Sequence, residues 1–410
     1  MIRLGLVYFA AVAVALPIAI ISLAKLLLVL GALLVLVGGG FRRNASQLKL
    51  PGASMPWILL ALAMVAVSSL WSTGSHDEAL SSIAKHGKLI LIPAILCLVR
   101  NRRQSMIALG CFIGAQIFLL ASTWLLALGI PLPWAKNPVV SGSYAIFSTY
   151  LDQSIMTGVF AAICWHLKAY APVRYRTTLA MGICALALSC VFFIFQGRTG
   201  HVVAIALITL ALLWEIPKRR RVGVAAIPVL LVIVLAMNSG KGNHGLAEIG
   251  NGISAFSTTG DASGSSGIRL DLWRRSLQSI SENPVWGSGA GSWSRELNRQ
   301  QNLRTPVFPP RITANPHQEY LLWGIELGVP GIALLCAVLA ALYRDSRQMA
   351  VPERRALQSV LAALGLSCLF NCALYDALIG DFFCIALALV LALGVHPAPP
   401  KHSASSASGA

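Results

Sequence analysis

The chain has 410 residues, 56% of them hydrophobic and only 11% charged, with a mean hydropathy of +0.72. A soluble domain carries about 25% charged residues, so the composition excludes an ordinary soluble protein and indicates a polytopic membrane protein. The formal net charge of +17 does not indicate a nucleic-acid partner, because the basic residues are dispersed in short clusters between apolar runs and not gathered on one soluble face.

Apolar runs long enough, or nearly so, to cross a hydrocarbon core of roughly 30 Å fall at 5–21, 23–39, 56–71, 80–99, 104–129, 147–168, 177–195, 200–215, 222–238, 318–343, 356–375 and 377–394. The expected fold is all-α, with about twelve transmembrane helices. Nine lie within 1–238, one large periplasmic loop with short helices occupies 239–317, three more helices lie within 318–394, and a disordered cytoplasmic tail occupies 395–410. The first and last pairs abut with almost no linker, which leaves ten or eleven spans open. Arg3 before an apolar run resembles a signal peptide, but a second run follows at once, so an uncleaved first span is expected.

With the N-terminus in the cytoplasm, the inner loops carry Arg42, Arg43 and Lys49, then Arg100, Arg102 and Arg103, then Lys168, Arg174 and Arg176. Lys218 with Arg219, Arg220 and Arg221 follows, and then Arg344, Arg347, Arg354 and Arg355. The short outer loops are nearly bare of Lys and Arg. This is the positive-inside pattern of a multi-pass membrane protein.

The segment 239–317 breaks the pattern, being rich in Gly and Ser around "STTGDASGSSG" and then basic, with Arg269, Arg274, Arg275, Arg295, Arg299, Arg304 and Arg311. Long loops translocate regardless of charge, so these arginines are available for binding. Within it, "IRLDLWRRSLQSISENPVWGSGAGSW" predicts a helix over 268–281, stopped before Asn283-Pro284, and a Gly-rich turn from Gly287 to Gly291. Ile268, Leu272, Trp273, Leu277 and Ile280 form an apolar stripe at helical spacing, which would lay the helix over the membrane mouth. All nine cysteines, Cys97 to Cys384, fall in predicted spans, which leaves the loop without a disulfide.

The stretch "ITANPHQEYLLWGIELGVPG", residues 312–331, sets His317 and Glu319 at the head of an apolar helix. Asn315 is placed to cap it and Pro316 to take the first helical position. The positive helix end would disfavour imidazolium and keep His317 neutral, as a general base must be. Packing at a helix end is the commoner fate of a lone histidine, and two further residues shift the balance. Arg198, in "FFIFQGRTGHVVAIALITL", has almost no loop to hold it. It either snorkels to headgroups or turns into a polar cavity, since a charge near the membrane boundary costs several kcal/mol unless paired or wet. Gly197 and Gly200 beside it suggest a close backbone approach. Arg269 heads the loop helix directly after "SGSSG", whereas Arg274 and Arg275 read as solvated helix-face charges. Two arginines converging on one histidine suit a diphosphate, which guanidinium groups bind in a planar bidentate manner.

Weaker cavity-lining assignments go to Glu319, Tyr320 and Gln153, the last beside Asp152 in "STYLDQSIM". No metal and no cofactor are expected: no Cys/His ligand spacing is seen, only fifteen acidic residues exist, and no Asp-x-Asp pair occurs among them.

Arg198 in "GRTG", Arg269 followed by "NPVWGSGAG", and His317 in "NPHQEYL" together resemble the signature of the O-antigen ligase superfamily of polysaccharide ligases and polymerases. The resemblance also covers the plan of many spans with one large outer loop late in the chain. It implies an inverting, metal-independent glycosyl transfer at the periplasmic face, without ATP. The donor would be a polysaccharide on undecaprenyl diphosphate, the acceptor the lipid A-core, and the product lipopolysaccharide. His317 matches the family's base, and Arg198 and Arg269 match the arginines that hold the diphosphate. Lys85, His86 and Lys88 open the fourth span on the same side, where they would lie among headgroups or meet core phosphates. A polymerase of the same superfamily is the nearest alternative. A transporter for a lipid-linked sugar is the third reading, disfavoured because no internal repeat is evident.

Overall fold

The computed structural model describes residues 2–38, 52–135, 138–141, 143–171, 173–217, 219, 223, 265–302 and 313–396. The expected ninth span at 222–238 lies outside them except for residue 223, as do the Gly/Ser stretch before 265 and the tail beyond 396. The helices in chain order are α1 (Ile2–Ala13), α2 (Ile18–Val37), α3 (Ser54–Ser68), α4 (His76–His86), α5 (Leu91–Leu98), α6 (Arg102–Ala127) and α7 (Tyr150–Leu167). They continue with α8 (Arg176–Ser189), α9 (Arg198–Glu215), α10 (Ser265–Glu282), α11 (Trp293–Asn302), α12 (Glu319–Ser346), α13 (Val351–Phe370) and α14 (Ala377–Val395). Among the described residues there is no strand.

Among the described residues, eight helical segments are long and apolar enough to cross a membrane: Ile18–Val37, Ser54–Trp71, His76–Leu98, Arg102–Ala127, Arg176–Ile194, Arg198–Glu215, Glu319–Ser346 and Ala377–Val395. The first expected span, 5–21, is instead the 12-residue α1, followed by a turn and Pro17. The missing proline N–H and its fixed φ end a helix there. Helices α7 and α13 are present but more polar than the eight. The cause for α7 is its central position: it packs against α6, α8, α9, α13 and α14, and most of its residues are buried. Its polar groups are therefore satisfied by protein, as Gln153 is by the Ile146 N–H and the Thr123 hydroxyl.

The bundle has two chemically distinct ends. At one, Arg102 donates to Glu353 and to the carbonyls of Leu393 and His396, Tyr170 donates to the same Glu353, and Arg355 pairs with Glu215. Asp345 closes this end by accepting from the Ala53 and Ser54 N–H groups at the start of α3. The clusters at 100–103, 168–176 and 344–355 therefore belong to one end. The opposite end carries α10, α11 and the starts of α4, α7, α9, α12 and α14.

Candidate functional site

The opposite end is organised by a break in α12. Pro330 sits inside this helix and Gly328 has φ 71°. Proline offers no N–H to the Glu326 carbonyl one turn earlier, and the Val329 N–H turns away to the Pro284 carbonyl at 2.8 Å. The freed carbonyls of Ile325 and Glu326 accept instead from the Ser288 and Gly289 N–H groups, at 2.7 and 2.9 Å. The Gly-rich turn of the loop thus completes the hydrogen bonding of a broken helix. Gly289 and Gly291 have φ 86° and 77°, and a Cβ on either would run into the backbone of Ser72 or Glu78, so only glycine fits. On the far side the Thr73 N–H donates to the Ser288 carbonyl at 2.8 Å, and the Glu326 carboxylate accepts from the Gly291 N–H at 2.8 Å and the Ser82 hydroxyl at 2.7 Å. Buried His86 stands 2.9 Å from the same carboxylate.

Helix α10 runs from Ser265 to Glu282, slightly longer than the predicted 268–281. Leu272 and Ile280 pack into a cluster with Leu321, Leu322 and Ile325 of α12, with Ile268 and Trp273 at its edge. Leu277, assigned to the same stripe, is 58% exposed. Its place against the core is taken by the small Ser276 and Ser279, whose hydroxyls bond the Leu272 carbonyl and Glu296. Helix α11 is a second short helix in this segment; its outer side is polar, and it is held by Trp293 and Leu297 in that cluster and by Arg299, which pairs with Glu296 and with Glu282 at the end of α10.

Arg269 lies in the first turns of α10, half-buried. Its charge is disfavoured by burial and by neighbouring Arg198, and favoured by Tyr150. Arg198 is the first residue of α9, also half-buried, after the Gly197 cap. The close approach expected at Gly197 and Gly200 is to α7 itself, where a Cβ would meet Ser154. It seats the α9 N-terminus on α7 beside Tyr150. His317 is half-buried, and burial followed by the Arg269 charge lowers its pKa below the usual histidine value. Arg269 thus lies within electrostatic reach of both Arg198 and His317, and the three come from separate elements.

The local structure of His317 differs from the sequence expectation. The cap of α12 is Gln318, whose side chain accepts from the Leu321 N–H at 3.2 Å, and the helix begins at Glu319. Asn315 and Pro316 are not the cap and first turn. His317 stands outside the helix with φ 54°, a left-handed conformation that histidine adopts at a cost. Asn315, buried, accepts the His317 N–H at 3.0 Å and donates to Asp376 at 2.8 Å. The Asp376 carboxyl is pushed up to about 7 by burial, reinforced by Asp152 and Glu319. This Asn315–Asp376 support is absent from the sequence reading; its signal lay in a polar Asn followed by Pro.

The three weaker assignments are held as follows. Glu319 is wholly buried, accepting from the Leu374 and Tyr375 N–H groups and from the Trp323 indole, so it fixes the turn before α14. Gln153 is buried in the bonds to Ile146 and Thr123. Tyr320 donates to the Gly365 carbonyl at 3.2 Å. Arg274 is exposed, and Arg275 pairs with Asp271 one turn away at 2.9 Å. Among the described residues no three His, Cys, Asp or Glu side chains group in a way that would hold a metal ion.

No curated protein matches the chain. A family model does: residues 182–336, which include α9, α10 and the start of α12 and so Arg198, Arg269 and His317, match the O-Antigen ligase family, consistent with the O-antigen ligase superfamily.

Proposed function

We propose that the chain is an O-antigen ligase, transferring a polysaccharide from undecaprenyl diphosphate to a hydroxyl of the lipid A-core at the periplasmic face of the inner membrane. The observation that carries this reading is the convergence of Arg198, Arg269 and His317 within the segment matched by the family model. Two guanidinium groups held near each other in a half-buried site repel, and an incoming diphosphate removes that repulsion while gaining bidentate bonds. The N–H groups at the start of α9 add to the same field.

His317, kept neutral by burial and by Arg269, accepts the proton of the acceptor hydroxyl as its oxygen attacks the anomeric carbon. The bond from that carbon to the diphosphate oxygen breaks, and the leaving diphosphate keeps the electron pair, its growing charge met by the two arginines. Attack opposite the leaving group inverts the anomeric centre. The energy comes from the sugar–diphosphate bond, so no ATP is consumed. The arginine-bearing connections gathered at the other end of the bundle support a cytoplasmic position for that end.

The test is transfer in vitro by the purified full chain, with lipid-linked polysaccharide as donor and lipid A-core as acceptor. Formation of polysaccharide joined to lipid A-core supports a ligase. Lengthening of the carrier-linked chain with the core untouched would instead establish a polymerase.

A further inference from the structure

A second polar feature at the same end of the bundle is a cleft of about 440 Å3 between the start of α2, the later part of α4 and the turn before α14. Ser22, Lys25, Lys85, Lys88, Tyr375 and Asp376 line it. Lys88 places its three N–H groups on the carbonyls of Leu374, Tyr375 and Asp376, at 3.0, 2.8 and 2.5 Å; it contributes charge but no spare donor. Lys25 pairs with the fully buried Asp381 at 2.7 Å and retains further N–H groups. Lys85 lies 4.3 Å from the centroid of the Tyr375 ring, and its ammonium has no hydrogen-bond partner among the described residues. Three ammonium groups thus border one cleft; Asp381 is engaged by Lys25, and the Asp376 carboxyl, with Asp152 and Glu319 in electrostatic reach of it, is engaged by Asn315, which leaves Lys85 as the ammonium with all its donors to spare.

We propose that this cleft receives a phosphoryl group carried by the acceptor glycolipid, with Lys85 and Lys25 donating to it in the field of Lys88; the word acceptor rests on the transfer reading above. Compact ammonium groups act as point charges that suit a phosphomonoester, in contrast to the planar arginine pair assigned to the donor diphosphate. Position agrees with chemistry. Asp376 lines the cleft and is bonded to Asn315, which holds the His317 backbone, so a sugar anchored here lies next to the base. Ile18 at the rim is 52% exposed, an apolar edge through which a membrane-anchored molecule would enter. The headgroup of an anionic phospholipid offers the same phosphoryl chemistry, and the test must separate the two sources.

The experiment uses the full chain in nanodiscs of neutral phospholipid, with a lipid-anchored core glycolipid as acceptor in its phosphorylated and enzymatically dephosphorylated forms. Lys85→Gln should raise the KM for the phosphorylated acceptor about tenfold, the usual weight of one charged hydrogen bond, leaving kcat and the donor KM unchanged. It should do nothing with the dephosphorylated acceptor, and Lys85→Arg should recover most of the loss. Equal effects on both acceptors, or none on the phosphorylated one, overturn the proposal. A Lys85→Gln effect that appears only when anionic phospholipid is added assigns the cleft to a membrane headgroup and likewise overturns it. Binding of a dye-labelled phosphorylated acceptor without donor separates this inference from the transfer reading. If the wild-type chain transfers to neither acceptor, the transfer reading falls, while phosphate-dependent binding lost in Lys85→Gln still supports the cleft.

Discussion

Replacing Asn315 by alanine tests whether His317 works from its left-handed backbone position. That conformation costs a non-glycine residue about 1–2 kcal/mol. It is held here by the 3.0 Å bond from the His317 N–H to Asn315, itself held by the 2.8 Å bond to Asp376. Each bond contributes roughly 0.5–1.5 kcal/mol, and a stranded buried partner costs about 1–3 kcal/mol more. Asn315→Ala removes both bonds, and His317 then relaxes toward negative φ. A bias of about 1.4–2 kcal/mol leaves the imidazole in place roughly one-tenth to one-thirtieth of the time. In the transfer assay kcat should fall by about that factor, with the donor KM little changed, since the diphosphate site proposed at Arg198 and Arg269 does not depend on Asn315. Asn315→Asp keeps the acceptor for the His317 N–H but faces Asp376. It should recover part of the activity below about pH 7, where the Asp376 carboxyl is protonated and can donate. An Asn315→Ala protein with kcat within twofold of wild type would refute the positioning argument.

Two further outcomes follow from the same geometry. Arg198→Lys keeps a positive charge but loses the planar fork, so transfer should fall strongly while the protein is still made and inserted; exposed Arg274→Ala should be mild, and equal losses would point to general electrostatic attraction. Asp376 has its folded pKa raised from 3.8 to about 7, so its contribution to stability is full below the unfolded value and is lost as pH rises through 7. Asp376→Asn should therefore flatten the fall in Tm between pH 4 and 8 and raise Tm at pH 8 relative to wild type, read by thermal unfolding in detergent; an unchanged slope contradicts it.

The helices were legible because each apolar run must satisfy its own backbone within the membrane, and the arginine clusters marked which connections share an end. The loop helix was legible from its 3.6-residue stripe, although serines at 276 and 279 displaced Leu277 from the packed face. Polar residues in α7 gave no warning that this helix is the centre of the bundle. The docking of the Gly-rich turn was readable only in hindsight: Pro330 announces unpaired carbonyls in α12, but nothing local says that Ser288 and Gly289, some forty residues earlier in the chain, will fill them. Arg198, Arg269 and His317 stand out in the sequence as candidates by their chemistry, whereas the support of His317 comes from Asp376, in a turn brought in by tertiary contact.

The central claim is that His317 removes the proton from the acceptor hydroxyl, and His317→Gln tests it most directly, since glutamine can hydrogen-bond but cannot take a proton. With purified protein, lipid-linked donor and lipid A-core acceptor, the variant should lose roughly a hundredfold or more in kcat while still binding the donor. The wild-type rate should fall with decreasing pH through a value below the usual histidine range, as burial and Arg269 require. Near-normal turnover by His317→Gln, with a wild-type rate indifferent to acid, would contradict the account.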